Sequence, residues 1–227
     1  MPSTETTEGL FDDWALRGRA EGMERGHEAR ALQALEAMPI ALGEKLLDLG
    51  CGNGWASRWL SRKTGSFGFV AGVDLSSEMI ARAKEVSGTR YGVQFRQTSF
   101  TDLPWSDGFF DHGFSMEALY YAEDLGAALA SVGRVLRPGG TLTICVDFYE
   151  ENPHCLGWPE MMGIPMVLLS EDGWSDALET AGFQVQQRWR CLDPRPVDPS
   201  LPDDERRAEE NFRTEVGSLA IRGVRAL

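Results

Sequence analysis

The sequence contains no apolar run that approaches the roughly 18 residues needed to cross a membrane. Residues 1–9 are polar and acidic, so we expect no secretory signal peptide there. Positive charge is in short supply, because 22 Lys and Arg stand against 35 Asp and Glu, for a formal net charge of −13. Such a surface repels phosphate groups. We therefore expect a cytoplasmic protein that binds neither nucleic acid nor membranes.

Cysteine is equally sparse. The four cysteines, Cys51, Cys145, Cys155 and Cys191, are widely spaced, and they form neither a C-x-x-C pair nor a metal-binding pattern with histidine. Spacing of this kind favours neither a disulfide framework nor a zinc site. We expect four reduced and mostly buried thiols, and no metal centre.

Apolar residues, in contrast, make up 42% of the chain, which is enough to form a core at this length. Between residues 43 and 148, short apolar strands alternate with amphipathic helices. This alternation predicts an α/β fold, in which helices cover both faces of a parallel sheet. The predicted strands are 45–49, 69–75, 93–99, 109–116 and 141–148, and the predicted helices are 55–63, 77–86 and 123–136.

The segment that precedes this core, residues 10–38, is predicted to form cap helices. Gly18, Gly22 and Gly26 interrupt the helical pattern, and each costs about 1 kcal/mol relative to alanine. The segment is therefore either two short helices or one helix that packs closely against a neighbour. The glycines and Trp14 lead to the hypothesis that residues 10–30 form a lid over a bound ligand.

The pattern changes again in residues 149–227, where insertions and two further strands are expected. Residues 150–169 are irregular, and a helix over 171–181 is predicted to end at Gly182. Strands over 183–191 and 216–226 are predicted to pair antiparallel at one edge of the sheet. A proline-rich segment and a charged helix over 203–213 separate them.

The strongest local signal is the sequence Asp48-Leu-Gly50-Cys51-Gly52-Asn-Gly54, which lies directly between a strand and a helix. Glycines in such a turn let the backbone approach a ligand closely. A second acid, Asp74, ends the next strand 20 residues after the last glycine of this turn, where it can accept hydrogen bonds from both ribose hydroxyls of an adenosine. The pattern predicts a nucleoside cofactor.

Charge decides between the possible cofactors. Dinucleotide sites usually show G-x-G-x-x-G, because the pyrophosphate sits on the helix amino terminus. Here the spacing is G-x-G-x-G, and Asp48 precedes it by two residues. A carboxylate at that point favours a cationic ligand. S-adenosylmethionine, which carries a sulfonium and an ammonium group, therefore fits better than NAD.

At these residues the chain resembles the class I S-adenosylmethionine-dependent methyltransferases, and most closely the group that includes ubiquinone/menaquinone-biosynthesis and small-molecule enzymes. Three later segments match the family in order: 73–80, 102–111 and 134–142. The resemblance implies one methyltransferase domain over residues 1–227. It implies a Rossmann-like, three-layer, doubly wound fold, with a mostly parallel seven-stranded sheet whose last strand is antiparallel. It further implies S-adenosyl-L-methionine as cofactor and S-adenosyl-L-homocysteine as product.

The family's motifs map the cofactor contacts onto this sequence. In the family the position of Asp74 binds the ribose, and that of Met79 flanks the adenine. The resemblance implies a set of twelve cofactor-binding residues: Asp48, Gly50, Cys51, Gly52, Gly54, Asp74, Leu75, Met79, Ser99, Phe100, Ser115 and Met116. The chain departs from the family at two points. Ser99 stands where an acid often accepts from the adenine, and Tyr120-Tyr121 replaces a frequent His-His pair.

Methyl transfer needs little from the protein beyond alignment of the reactants and exclusion of water, unless the acceptor must lose a proton. Glu117, Tyr121 and Asp147 are the candidate catalytic residues, because they follow the fourth and fifth strands. Residues on the flanking segments are further candidates on the acceptor side: Trp14, His27, His154, Trp158, Met161 and Met162.

These observations predict a methyltransferase that acts on a small molecule by in-line transfer, as a monomer or homodimer. The acceptor atom stays open. Two alternatives remain: a module that binds S-adenosylmethionine without catalysis, and an NAD-dependent oxidoreductase.

Overall fold

The computed structural model describes residues 6–89 and 92–227. Residues 1–5, which belong to the polar amino-terminal segment, lie outside the described residues. Within the described ranges, no helix is both long and apolar enough to cross a bilayer. All four cysteines are buried, as predicted.

A seven-stranded sheet forms the centre of the protein, with the strand order β3-β2-β1-β4-β5-β7-β6. Its first five strands in the sequence are parallel to one another. The strands are β1 (Lys45–Leu49), β2 (Phe69–Asp74), β3 (Val93–Gln97), β4 (Phe110–Met116), β5 (Leu136–Val146), β6 (Phe183–Cys191) and β7 (Ser218–Arg225).

The two carboxyl-terminal strands lie together at one edge of the sheet. β7 lies antiparallel between β5 and β6, which confirms the predicted pairing and the antiparallel last strand. The predicted α/β fold is therefore confirmed. The order of strands reverses between β1 and β4, and the crevice at such a reversal is where open α/β sheets bind ligands.

Helices cover both faces of the sheet, because its strands carry apolar side chains on both sides. The helices are α1 (Thr7–Leu16), α2 (Ala20–Glu36), α3 (Trp55–Thr64), α4 (Ser77–Ser87), α5 (Leu125–Val135), α6 (Trp158–Met162), α7 (Glu171–Thr180) and α8 (Asp203–Asn211). α2 and α3 pack on one face around Leu35, Leu46 and Leu60. α5 and α7 pack on the other face, where Trp174 is fully buried.

The amino-terminal segment forms two helices, which is one of the two arrangements that its glycines allow. The break falls at Gly18, whose φ of 71° lies in the left-handed region. Gly22 and Gly26 are exposed, and a Cβ at Gly26 would meet nothing within 4 Å. These two glycines therefore do not serve close helix packing.

Several strand boundaries differ from the predicted ones, by one to five residues, and two of them have a clear cause. β5 begins at Leu136 and not at residue 141, because Leu136 already pairs with Phe110 before the register shifts around the Pro-Gly-Gly segment. β3 ends at Gln97 and not at residue 99, so that Ser99 lies in the loop that follows. In both places the boundary is set by the residues of the neighbouring strand with which the strand pairs. The local preference of the sequence for extended structure does not set it.

Candidate functional site

A cavity of about 640 Å³ opens at the carboxyl ends of β1, β2 and β4. Its volume lies in the range of small-molecule sites. Loops after these strands form its floor, and α1 and α2 form its opposite wall. Residues from both parts line it, among them Phe11, Met23, Glu24, His27, Asp48, Gly50, Cys51, Gly52, Asp74, Leu75, Met79, Ser99, Phe100, Met116, Glu117 and Tyr121.

The glycine turn after β1 is fixed against the end of β2. The backbone N–H groups of Gly50 and Cys51 donate to the Val73 carbonyl at 2.8 and 2.9 Å. Gly50 has a φ of 70°, and a Cβ there would lie 2.2 Å from the Cβ of Ala118. Gly52 also has positive φ, but a Cβ at Gly52 would meet nothing within 4 Å. The turn therefore offers open space to a ligand at Gly52 and none at Gly50.

Two aspartates lie at the ends of neighbouring strands beside this turn. Asp74 accepts from the backbone N–H of Gly52 at 2.9 Å and from that of Ser76 at 3.0 Å. Asp48 accepts from the Ser57 hydroxyl at 2.5 Å. Desolvation raises the pKa of Asp48 to about 7 and that of Asp74 to about 6. A bound cation would favour the ionised form of both groups.

Hydrogen bonds tie the cap helices to the cofactor side of the cavity. Asp12 on α1 accepts from the Ser76 hydroxyl at 2.6 Å. Glu24 on α2 accepts from the side-chain amide of Asn53 at 2.6 Å. Asn53 belongs to the glycine turn, so α2 contacts the turn directly.

Glu117 holds an unusual position at the end of β4. Its φ of 53° makes it the one non-glycine residue with positive φ in the described ranges. Its carboxylate accepts from the Tyr120 hydroxyl at 2.7 Å and from the backbone N–H of Asp147. Desolvation and the nearby charge of Asp147 raise the pKa of Glu117 well above its usual value. Strain of this kind, held by packing, marks functional positions.

Asp147 lies behind the cavity and is absent from its lining. It is buried, it accepts from Arg30 at 2.9 Å and from the Ser218 hydroxyl, and Arg30 also donates to Ser218 at 2.8 Å. This buried ion pair joins α2, β5 and β7. His27, one turn before Arg30, lines the cavity, and desolvation lowers its pKa.

The structure brings together most of the predicted site residues. Of the twelve predicted cofactor contacts, Gly54 and Ser115 are absent from the cavity lining. A Cβ at Gly54 would lie 2.6 Å from the Phe95 ring, so this glycine serves packing. Of the acceptor-side candidates on the flanking segments, His27 lines the cavity, whereas five others do not: Trp14, His154, Trp158, Met161 and Met162.

Several lining residues were not identified from the sequence. Phe11, Met23 and Glu24 come from the cap helices, whose periodicity indicated buried faces without indicating what they face. Asn53 also lines the cavity and was not identified, although its place between two glycines of the turn could have indicated it.

Comparison with known proteins supports a common origin for this site. A sequence profile of a methyltransferase domain matches residues 47–144. The O-methyltransferase rstn1 of Aspergillus nomiae is 30% identical over 179 residues, which cover 76% of this chain and 78% of that protein. The O-methyltransferase resE of Aspergillus sclerotiorum is 29% identical over 181 residues, which cover 76% and 67% of the two chains.

A solved structure is similar over the whole chain. The complex between the Haloferax volcanii Trm112 methyltransferase activator and a methyltransferase contains a chain that is 35% identical, with a TM-score of 0.88. The match covers 96% of this chain and 98% of that one.

Proposed function

Since the chain belongs to the class I S-adenosylmethionine-dependent methyltransferases, we propose that it transfers the methyl group to a hydroxyl group of a small, largely apolar molecule. S-adenosylmethionine as cofactor and methyl transfer as reaction follow from family membership. This cofactor and this reaction also exclude the alternative of an NAD-dependent oxidoreductase. The hydroxyl and the apolar character of the acceptor are our proposal, and the narrower likeness to ubiquinone-biosynthesis enzymes stays a prediction.

One observation carries the proposal: a single cavity contains both a cation-binding part and an apolar part. The glycine turn, Asp48 and Asp74 form the first part, where the cofactor would be held. Phe11 and Tyr121, whose rings are in edge contact with centroids 5.0 Å apart, contribute to the second. Apolar walls with a few polar groups are typical of sites for small organic molecules.

The residues of this chain fit the cofactor and supply the conditions for transfer. When bound, S-adenosylmethionine provides an activated methyl group on a sulfonium. Asp74 would hold the ribose, and open space at Gly52 allows the ligand to approach the backbone. The cap helices exclude water from the cavity and hold the acceptor beside the donor, which is the main contribution that a methyltransferase makes.

The relatives support a hydroxyl acceptor. Both rstn1 and resE are named O-methyltransferases. The acidic surface agrees with a neutral acceptor and not with a phosphorylated one. Tyr121, whose pKa burial raises further above its usual value, would remain a neutral wall of the acceptor site.

The test is a screen of acceptors with purified protein. We expect S-adenosylhomocysteine release with phenols of moderate size, and a methyl ether as product in mass spectrometry. Anilines, thiols and carboxylic acids of matched size serve as controls and should give little product. If the cofactor binds but no acceptor in any class yields product, a non-catalytic binding module would replace this proposal; if only amines react, the hydroxyl assignment is wrong.

We also propose a protein partner of the Trm112 activator type, because the methyltransferase chain of the solved structure described above was determined in complex with that activator. Mixing the chain with recombinant Haloferax volcanii Trm112 should give a 1:1 complex in size-exclusion chromatography with light scattering. Separate elution of the two proteins, at concentrations of about 50 μM, would contradict the partner without affecting the reaction proposed above.

A further inference from the structure

Three ionisable side chains meet where the cavity ends against α2. His27 comes from α2, Glu117 follows β4, and Asp147 follows β5. One potential ligand atom of each lies within 4.8 Å of the other two. No single segment of the sequence contains this cluster.

The contacts argue against a metal ion in the cluster. Asp147 accepts from Arg30 and from Ser218, and Glu117 accepts from Tyr120 and from a backbone N–H, so every carboxyl oxygen already has a donor. A metal would have to displace these donors and lie close to the Arg30 guanidinium. The described residues offer the His27 ring no hydrogen-bond partner, so its nitrogens remain available to a ligand in the cavity.

We propose that His27 is the catalytic base that removes the proton from the acceptor hydroxyl, and that Asp147, whose carboxylate lies within 4.8 Å of a ring nitrogen, is a positioning residue that stabilises the protonated ring. This inference rests on the proposed O-methyl transfer. It assigns the base to the cap helix, whereas the segment after β4 carries Tyr120-Tyr121 and no histidine. A base whose protonated form is stabilised by a buried carboxylate behind it is a recurrent arrangement in enzymes.

The acceptor O–H bond breaks, and its proton goes to one nitrogen of the His27 ring. The electron pair of that bond forms the new O–CH₃ bond, and the pair of the S–CH₃ bond goes to sulfur, which becomes the neutral thioether. The protonated ring then loses its proton to water after the product leaves.

The charges around His27 suit this role. Glu24 and Arg30 lie on the same helix, and Glu117 and Asp147 face it from the sheet. Desolvation and Arg30 lower the pKa of His27, while Asp147 raises it, with a net lowering. The ring is therefore neutral at pH 7 and able to accept a proton. The Asp147 carboxylate, whose charge raises the pKa of His27, would then favour the protonated form as it develops.

The first test needs no acceptor, because the chain has only three histidines. Their ring C–H signals can be assigned in NMR spectra with His27→Gln and His154→Gln variants. We expect Asp147→Asn to lower the titration midpoint of His27 by roughly one pH unit, since the amide cannot carry the charge that raises the pKa of His27. The matched control is Glu44→Gln, because Glu44 contacts His112 at 3.0 Å; it should lower the midpoint of His112 and leave that of His27 unchanged.

An unchanged His27 midpoint in a folded Asp147→Asn variant would overturn the inference. So would loss or large displacement of the His27 signals on addition of Zn²⁺ at stoichiometric concentration, because that would show a metal site. Retention of the signals supports a proton acceptor.

The second test uses a phenol that the acceptor screen identifies. We expect His27→Gln to lower kcat by about 100-fold at pH 7 and to recover most activity at a pH above the pKa of the phenol, where no base is needed. A purely structural role would lower kcat equally at all pH values. If His27→Gln keeps the wild-type kcat and pH profile, His27 is not the base. If the wild-type protein methylates no phenol, the proposed function itself is wrong.

Discussion

An Asp74→Asn variant is expected to bind S-adenosylmethionine at least about 100-fold more weakly than the wild-type protein. Charge-assisted hydrogen bonds contribute roughly 1.5–3 kcal/mol each, and the proposed role of Asp74 gives it two of them to the ribose. The same carboxylate fixes the glycine turn through the N–H of Gly52 at 2.9 Å. An amide at this position would also turn an N–H group toward backbone N–H donors.

The measurement is isothermal titration calorimetry with S-adenosylmethionine and S-adenosylhomocysteine. Asp107→Asn is the control, because Asp107 is an exposed acid whose side chain is 79% accessible. It removes the same charge without touching the cavity and should leave the affinity unchanged. Equal affinity of Asp74→Asn and the wild-type protein, with both folded by circular dichroism, would contradict the predicted ribose contact.

The pH dependence of binding gives the same prediction a second readout. Because desolvation raises the pKa of Asp48 to about 7 and that of Asp74 to about 6, the free protein takes up protons at both groups as the pH falls through these values. The cationic ligand requires the ionised forms. Its affinity should therefore fall by roughly ten- to hundredfold between pH 8 and pH 5.5, with proton release on binding. Asp74→Asn should lack the lower of the two steps.

A Gly50→Ala substitution is expected to destabilise the protein by about 3 kcal/mol or more and to abolish cofactor binding. Two effects add at this position. The left-handed backbone costs an alanine about 1–2 kcal/mol, and the new Cβ would lie 2.2 Å from that of Ala118. Urea unfolding of the free protein measures the free energy, and calorimetry measures the binding.

The two effects can be separated with matched variants. Gly163→Ala has a similar φ of 68° in the left-handed region but open space around its Cβ, so it should show the backbone cost alone. In the double variant Gly50→Ala/Ala118→Gly the collision is removed, and we expect stability to return to about the level of Gly163→Ala. A double variant as unstable as Gly50→Ala would show that the contact with Ala118 is not the cause.

The sequence was sufficient to locate the part of the site that lies on consecutive strand ends. Asp48, Asp74 and the glycine turn could be identified because each follows its strand directly, and the parallel topology then places the strand ends together. Gly54 was predicted to contact the cofactor, but it packs against Phe95. The sequence alone does not distinguish these two roles, because both require a glycine. That distinction depends on a side chain 41 positions away in the sequence.

The grouping of residues at the acceptor end of the cavity could not be predicted in the same way. His27 and Glu117 meet only because α2 packs on the sheet, and Arg30 fixes that packing through Asp147, 117 residues later. Asp147 resembles any polar strand end in the sequence. It is buried behind the cavity, in an ion pair with Arg30 and in a hydrogen bond with Ser218 of the last strand.

The position of β7 has a consequence for how the chain folds during synthesis. Within the described part of the chain, β6 pairs only with β7, which is made about 30 residues later. While the ribosome translates the intervening segment, β5 and β6 each expose an unpaired edge, and the Ser218 contact of Asp147 does not yet exist. The methyl-donor half of the site can thus form on the nascent chain before the acceptor half, whose Arg30–Asp147 ion pair gains its hydrogen bonds to Ser218 only when β7 inserts between its neighbours.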